Sequence, residues 1–256
     1  VKTPLALEKT TKIIHIDIDP AEIGKNIGAD LPLVGDAKLV LQQMTELAKP
    51  MKHDEWIAHI KTLGGERKYV EPAKGTVNPR VFIDRLAKKM PANVTVVADV
   101  GQNQIWTCTE YKFRKEGRLL TSGGMGTMGY SVPAAIGAKM ADNSRATVAI
   151  CGDGAFQMSF MELATAIQFG VDIKVVVMTN NRLGMVRELQ TNGYHDRQTA
   201  VFLDGSPDFI KLAEAYGIPA MRVYDDDTME KGIEMLAEHK GICLVEVVVD
   251  KDMPTL

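Results

Sequence analysis

Cysteine is scarce in this sequence and never paired at close spacing: Cys108, Cys151 and Cys243 are odd in number and far apart. That excludes a disulfide framework and a thiolate zinc site, suits a reducing compartment, and leaves three core thiols as the simplest expectation. Charge of one sign is lacking too. Thirty Lys and Arg stand against 33 Asp and Glu, a formal net charge of −3, so there is no basic footprint for nucleic acid or an anionic membrane surface. No apolar run reaches the roughly 18 residues that a membrane span needs, and no signal peptide begins at Val1. The expectation is a cytoplasmic protein, and the missing initiating Met adds the expectation of a piece cut from a longer chain. The histidines, His15, His53, His59, His195 and His239, show no ligand spacing with acidic partners and are expected to be packed or solvated. Neither an internal repeat nor a low-complexity tract is present.

What is there is a set of short runs rich in Val and Ile. "KIIHIDID" (12–19), "VTVVAD" (94–99), "RATVAICGD" (145–153), "IKVVVMTN" (173–180), "PAMRVY" (219–224) and "ICLVEVVVD" (242–250) read as buried strands of a parallel sheet. Helix-period segments lie between them at 37–49, 53–62, 78–90, 127–141, 159–169, 207–216 and 228–239. Asn78 and Pro79 open the third; Gly170 and Gly217 close the fifth and sixth. Strand alternating with helix predicts an α/β fold, a parallel sheet with helices on both faces. A polar connection containing "GERK" and two prolines places a domain boundary near 65–76, which divides the chain into 1–65 and 66–256.

Polar clusters follow three of the strands: Asp99-Val100-Gly101-Gln102, Gly152-Asp153-Gly154 and Asn180-Asn181. Ligands of open parallel sheets sit outside the carboxyl ends of the strands, so three neighbouring tips define one expected site. A carboxylate (Asp153), an amide oxygen (Asn180) and glycines that bare the backbone are hard oxygen donors, suited to Mg²⁺ or Ca²⁺ rather than Zn²⁺. Two side chains cannot fill six octahedral positions, which makes a diphosphate the natural partner. Backbone N–H groups where strand turns into helix would face its phosphates. Asp99 reads equally as a functional carboxylate or as a turn residue.

Gly152-Asp153-Gly154, then a helix, a strand and Asn180, is similar to the thiamine-diphosphate (ThDP) motif of the ThDP-dependent enzymes. Over nearly its whole length the chain resembles the carboxyl-terminal half of the acetolactate (acetohydroxyacid) synthase large subunit. The blocks that carry this are "HIDIDPAEIGKN", "LVGDAKLVLQQM", "DVGQNQIW", "LLTSGGMGTMGYSVPAAIGAKMA", "CGDGAFQM" and "LGMVRELQ". The resemblance implies Asp153, the Asn180 side chain and the Arg182 backbone carbonyl as Mg²⁺ ligands. It implies Gly101, Gln102, Asn103, Gly152, Gly154 and Ala155 at the diphosphate, Met128 wedged beneath the bent cofactor, and Leu183, Gly184 and Met185 near the aminopyrimidine or substrate side. Asn181 competes with Asn180 as the ligand, and spacing favours Asn180. The family commonly has His where Asn103 stands. The synthases often have Trp in place of Leu189, a position linked to the choice of acceptor 2-keto acid, which leaves acceptor choice open.

In this family the cofactor lies between a diphosphate-binding domain and a pyrimidine-binding domain of a second subunit, which supplies the Glu that activates the aminopyrimidine. No stretch here resembles that domain, and the first 48 or so residues resemble only the tail of a central domain. No catalytic residue is therefore assigned, and the chain alone is expected to be inactive. The resemblance further implies branched-chain amino acid biosynthesis, 2-keto acid substrates, a homo-oligomer with possible regulatory subunit, and possible FAD in the complete enzyme. Another ThDP enzyme, such as a pyruvate oxidase or 2-keto acid decarboxylase, and a non-catalytic binding or regulatory module stand as the alternatives. A domain cut from a two-domain site exposes apolar surface and is expected to associate or to leave loops disordered, and residues 183–206, weak in periodicity and rich in Gly, Asn and Asp, are the segment expected to be disordered.

Overall fold

The computed structural model describes residues 11–63, 69–114 and 116–255. The chain divides into two compact units, Val1–Glu66 and Arg67–Leu256. In the first, β1 (Ile14–Asp17) and β2 (Leu31–Val34) form a two-stranded parallel sheet, followed by α1 (Ala37–Leu47) and α2 (Asp54–Leu63). Asp36 caps α1 by accepting from the Leu39 N–H. Neither helix buries a residue, and Leu39, Leu41, Met44, Trp56 and Ile60 stand exposed.

The second unit carries, in chain order, α3 (Pro79–Lys89), β3 (Thr95–Ala98), α4 (Gln102–Glu110), β4 (Arg118–Thr121), α5 (Ser131–Ala141), β5 (Thr147–Gly152), α6 (Asp153–Gln157), a 3₁₀ turn (Phe160–Glu162) and α7 (Leu163–Gln168). Then come β6 (Lys174–Thr179), α8 (Gly184–Gly193), α9 (Phe209–Ala215), β7 (Ala220–Val223), α10 (Asp226–Glu238) and β8 (Cys243–Val248). The six strands β3 to β8 form one parallel sheet in the order β4-β3-β5-β6-β8-β7. This is the α/β architecture that the strand–helix alternation predicts.

Period-two alternation sends successive side chains of each central strand into opposite layers. Val96, Val148, Ile150, Val176 and Val245 pack with Phe82, Ile83 and Leu86 of α3, Trp106 of α4 and Ile233 and Leu236 of α10. Val97, Ala149, Cys151, Val175, Val177 and Leu244 pack with Val132 and Ile136 of α5, Phe156 of α6, Leu163 of α7 and Phe209 of α9. With both faces covered, β3, β5, β6 and β8 are buried along nearly their whole length.

Several expectations are corrected. Cys108 is exposed, not a core thiol, because α4 buries Gln102, Asn103, Trp106, Thr107 and Glu110 and residue 108 falls on its opposite face. The helix expected at 127–141 begins only at Ser131, since Gly126 and Gly129 hold φ of 69° and 83°. The helix expected at 159–169 is a 3₁₀ turn followed by α7. Residues 183–206 carry regular structure: α8 occupies most of the first half, and the segment then folds back on itself. Arg182 bridges Phe202 in antiparallel sense, with Leu183 N–H to Val201 O at 2.9 Å and Leu203 N–H to Asn181 O at 2.9 Å. The fully buried Val201 and the Arg182 guanidinium, 4.6 Å from the Phe202 ring centroid, hold that return.

Asp99, at the end of β3, is fully buried. One of its oxygens accepts from the N–H of Val100 (2.8 Å) and Gly129 (3.0 Å), the other from the N–H of Ser131 (2.8 Å). It thereby ties the start of α5, and with it Met128, to the tip of β3. Asp99→Ala would leave one buried and two part-buried backbone donors without their acceptor, and we expect it to destabilise the second unit by about 3 kcal/mol. Urea denaturation measures this, and a loss under about 1 kcal/mol would show that the carboxylate is not the anchor.

Candidate cofactor site

Strands β3, β5 and β6 are neighbours, and between β3 and β5 the chain reverses its progress across the sheet, since β4 lies on the far side of β3. Such a reversal opens a crevice at the strand tips. It encloses about 600 Å³ including its mouth and is walled by Val100, Gly101, Gln102, Asn103, Trp106, Met128, Gly152, Asp153, Gly154, Ala155, Met178, Asn180, Arg182, Leu183, Met185, Val186 and Val249. All three polar clusters read from the sequence meet there.

Asp153 begins α6 and is 1% exposed. Its Oδ1 accepts from the Gly154 N–H (2.8 Å), and its Oδ2 from the N–H of Asn180 (3.1 Å) and Asn181 (2.6 Å). Burial pushes its pKa up from 3.8 to about 6, against the opposing pull of these backbone donors. A buried carboxylate with a raised pKa and spare acceptor capacity on Oδ1 has the chemistry of a cation ligand. Among the described residues no group of three or more His, Cys, Asp or Glu could hold a metal ion. A cation here would draw its remaining ligands from amide and carbonyl oxygens, water and a bound anion, which fits Mg²⁺ on a diphosphate.

The other donors stand on the loop after β6. Asn180 and Asn181 present two consecutive N–H groups to Asp153, and the chain then turns at Asn181 through a left-handed φ of 54°, which Asn tolerates, with the Asn181 side chain exposed. The Asn180 side chain faces the crevice: its Oδ1 accepts from the Arg182 N–H (3.1 Å) and its Nδ2 donates to Gln102 Oε1 (3.3 Å). The bonds of the Arg182–Phe202 bridge flank both residues, so the Arg182 carbonyl points away from the 201–203 segment, on the same side as its N–H. Its guanidinium is occupied outside by Asn181 O and Asp204.

Gly154 permits close packing at the floor. A Cβ there would lie 2.8 Å from Leu183 Cδ2, 3.1 Å from Leu203 Cδ1 and 3.5 Å from Met128 Cε. Gly101, with φ 147°, opens α4 in a conformation other residues rarely adopt. Asn103 spends its Nδ2 on Asp99 O (2.8 Å) and Ile150 O (3.2 Å), joining the tips of β3 and β5. Gly184 lies behind the wall rather than on it. A Cβ there would stand 1.9 Å from Gln102 Oε1 and 3.2 Å from Asn180 Nδ2. Sequence reasoning missed Trp106, Met178, Val186 and Val249 as lining residues. The "QNQIW" spacing is the available signal for Trp106, four residues after Gln102 on one helical face.

Residues 99–247 match the C-terminal TPP-binding domain of thiamine pyrophosphate enzymes, and residues 2–44 match the central domain of the same enzymes. The chain belongs to the thiamine pyrophosphate (thiamine diphosphate) enzyme family. Among its relatives are acetolactate synthase large subunits. It is 36% identical over 253 residues to the acetolactate synthase large subunit of Lactococcus lactis, a match covering 98% of this chain and 44% of the relative. It is 38% identical over 250 residues to the probable acetolactate synthase large subunit of Methanocaldococcus jannaschii (93% and 42%). It is 39% identical over 254 residues to the acetolactate synthase of Mycobacterium leprae (93% and 40%). The chain thus spans less than half the length of these relatives. No helix among the described residues is long and apolar enough to cross a membrane.

Two outcomes follow from this geometry. With a folded pKa near 6 against 3.8, Asp153 keeps its proton in the folded state between about pH 4 and pH 6, where the unfolded chain has lost it. Its contribution is most favourable below pH 4 and is lost as pH rises through 6, by on the order of 3 kcal/mol. Without metal or ThDP, the stability of wild type relative to Asp153→Ala should fall by about that amount between pH 4 and pH 7 in urea titrations; parallel profiles would refute the shift. Separately, Gly184→Ala should force the Gln102 and Asn180 amides aside and weaken ThDP binding about tenfold or more, measured by calorimetry.

Proposed function

We propose that the chain is the diphosphate- and Mg²⁺-binding half of a ThDP-dependent acetolactate synthase, a transferase that decarboxylates pyruvate and joins the two-carbon fragment to a second 2-keto acid. The observation that carries this reading is Asp153 between the tips of β5 and β6, with the Asn180 amide and the outward-turned Arg182 carbonyl beside it in one crevice. Asp153 Oδ1, Asn180 Oδ1 and the Arg182 carbonyl would hold Mg²⁺. Backbone N–H groups of Gly101, Gln102 and Asn103, at the start of the nine-residue α4, face a diphosphate together with Gly152, Gly154 and Ala155. Met128, fixed through the Asp99 tie, supports the cofactor from below, and Leu183 and Met185 border its aminopyrimidine side, with Gly184 behind them. ThDP, once bound, supplies the carbanion chemistry, and the residues named supply metal, orientation and a dry wall.

Residues 1–65 form the tail of a central domain and residues 66–256 the ThDP-binding domain. In the working enzyme the crevice is completed by the pyrimidine-binding domain of a second subunit in a cytoplasmic homo-oligomer, with a regulatory subunit as a further partner. Acetohydroxy acids for branched-chain amino acids are the products. No residue of this chain is assigned to FAD.

None of the crevice residues is placed to act as a general base, because a carboxylate bound to Mg²⁺ has its basicity consumed by the metal. General acid–base help contributes roughly 10²–10⁴-fold, and the orientation given by a pyrimidine pocket contributes more. The 256-residue chain incubated with ThDP, Mg²⁺ and pyruvate should give no acetolactate above the cofactor-only blank. Turnover near that of a complete synthase would show a base inside this chain. Asp153→Ala should abolish Mg²⁺-dependent ThDP retention in the same preparation; normal retention would sink the metal assignment.

A further inference from the structure

The side chain of Gln102 holds an arrangement that the cofactor reading does not use. Its Nε2 carries two protons and has three acceptors: Met253 O at 3.0 Å, Thr255 Oγ1 at 3.1 Å and Glu188 Oε2 at 3.2 Å. Its Oε1 accepts from Asn180 Nδ2. Every polar atom of this 4%-exposed side chain is thus engaged by protein. Glu188, on α8, in turn accepts from the Thr255 hydroxyl and from the Thr255 N–H, 3.2 Å from each carboxylate oxygen. Residues 249–255, which follow β8, are held at two more points. Trp106 Nε1 donates to Pro254 O (3.1 Å), and the guanidinium of the buried Arg187 lies 3.6 Å from Asp252.

We propose that Gln102 and Glu188 are positioning residues, and that with Thr255 they form a latch tying the segment after β8 to the Asn180 arm of the cation site. Gln102 then meets a diphosphate through its backbone N–H at the start of α4, while its carboxamide stays in the protein and orients Asn180. Glu188 acts on the site without touching it. Gly184 is glycine because the carboxamide passes where its Cβ would be. This inference rests on the proposed ThDP and Mg²⁺ site, but the latch itself has a readout that needs no ligand.

That readout is Trp106, which is 1% exposed and bonded to the strap; the chain's other tryptophan, Trp56, is removed by Trp56→Phe. In that background Glu188→Gln and Thr255→Val are compared with the full chain by emission maximum, acrylamide quenching and calorimetric titration of ThDP with Mg²⁺. Each variant should shift Trp106 emission to the red, raise quenching and weaken ThDP affinity about tenfold. The double variant should do little more than either single one. Thr255→Ser, which keeps the hydroxyl, should behave as wild type. Unchanged Trp106 emission in Glu188→Gln would overturn the latch. A red shift with unchanged affinity would overturn the positioning role and leave a tie without function. Failure of the wild-type chain to bind ThDP with Mg²⁺ would overturn the cofactor reading and the positioning role with it, while the emission data would still decide the latch.

Discussion

A single buried carboxylate sets the geometry of this crevice. Asp153 draws in the N–H groups of Gly154, Asn180 and Asn181, and these belong to the ends of two different strands. Among the described residues no lysine or arginine is a hydrogen-bond partner of Asp153, so backbone dipoles offset the loss of water, and they offset it incompletely: the pKa stays raised. The protein therefore holds at this point an electrostatic cost that a cation would remove. Most other features of the site follow from keeping that carboxylate in place. The left-handed turn at Asn181 redirects the chain once both N–H groups are spent, the Arg182–Phe202 bridge fixes the loop after it, and Gly154 lets Leu183 and Leu203 close over the floor.

A second carboxylate, Asp99, does for the loop before α5 what Asp153 does for the loop after β6. Both sit at strand ends and both accept three backbone N–H groups, but Asp99 satisfies a neighbouring segment and is absent from the crevice wall. Residue type alone does not separate two strand-end aspartates. What separates them is that Asp99 faces the Gly129 turn and Asp153 faces open space.

The legibility of the sequence follows the same division. Strands β3, β5, β6 and β8 are continuous Val and Ile runs because both of their faces are covered, and their helices have caps or apolar stripes. The two-faced sheet was readable from these alone. The edge strand β4 was not, since "RLLT" is four residues long and flanked by polar loops, and β2, with a proline inside it, gave no pattern either. Helix α4 was hidden by its polar first turn, Gln102 to Gln104, whose first two side chains are buried on account of hydrogen bonds rather than apolarity. Helix α8 was hidden for a related reason. Its buried residue is Arg187, whereas Leu189 and Val186 are exposed, Val186 at the crevice wall, so its hydrophobic pattern is inverted with respect to burial. The Gly152-Asp153-Gly154 and Asn180 positions could be read because strand ends are fixed by the strands. The ties through Glu188 and Thr255 could not, because nothing in the local sequence brings residues 102, 188 and 255 together.

The antiparallel bridge between Arg182 and Phe202 has a consequence for how this architecture tolerates change. It closes the base of an excursion that contains α8, a turn with left-handed His195 and Asp196, and the return to Val201. Chain length beyond such a closure is uncoupled from what lies beneath it, since adding residues to a loop whose ends are already pinned costs only slowly increasing entropy. Residues can therefore be added or removed at the tip of this excursion, altering what is admitted at the rim, while the loop that caps Asp153 below keeps its shape.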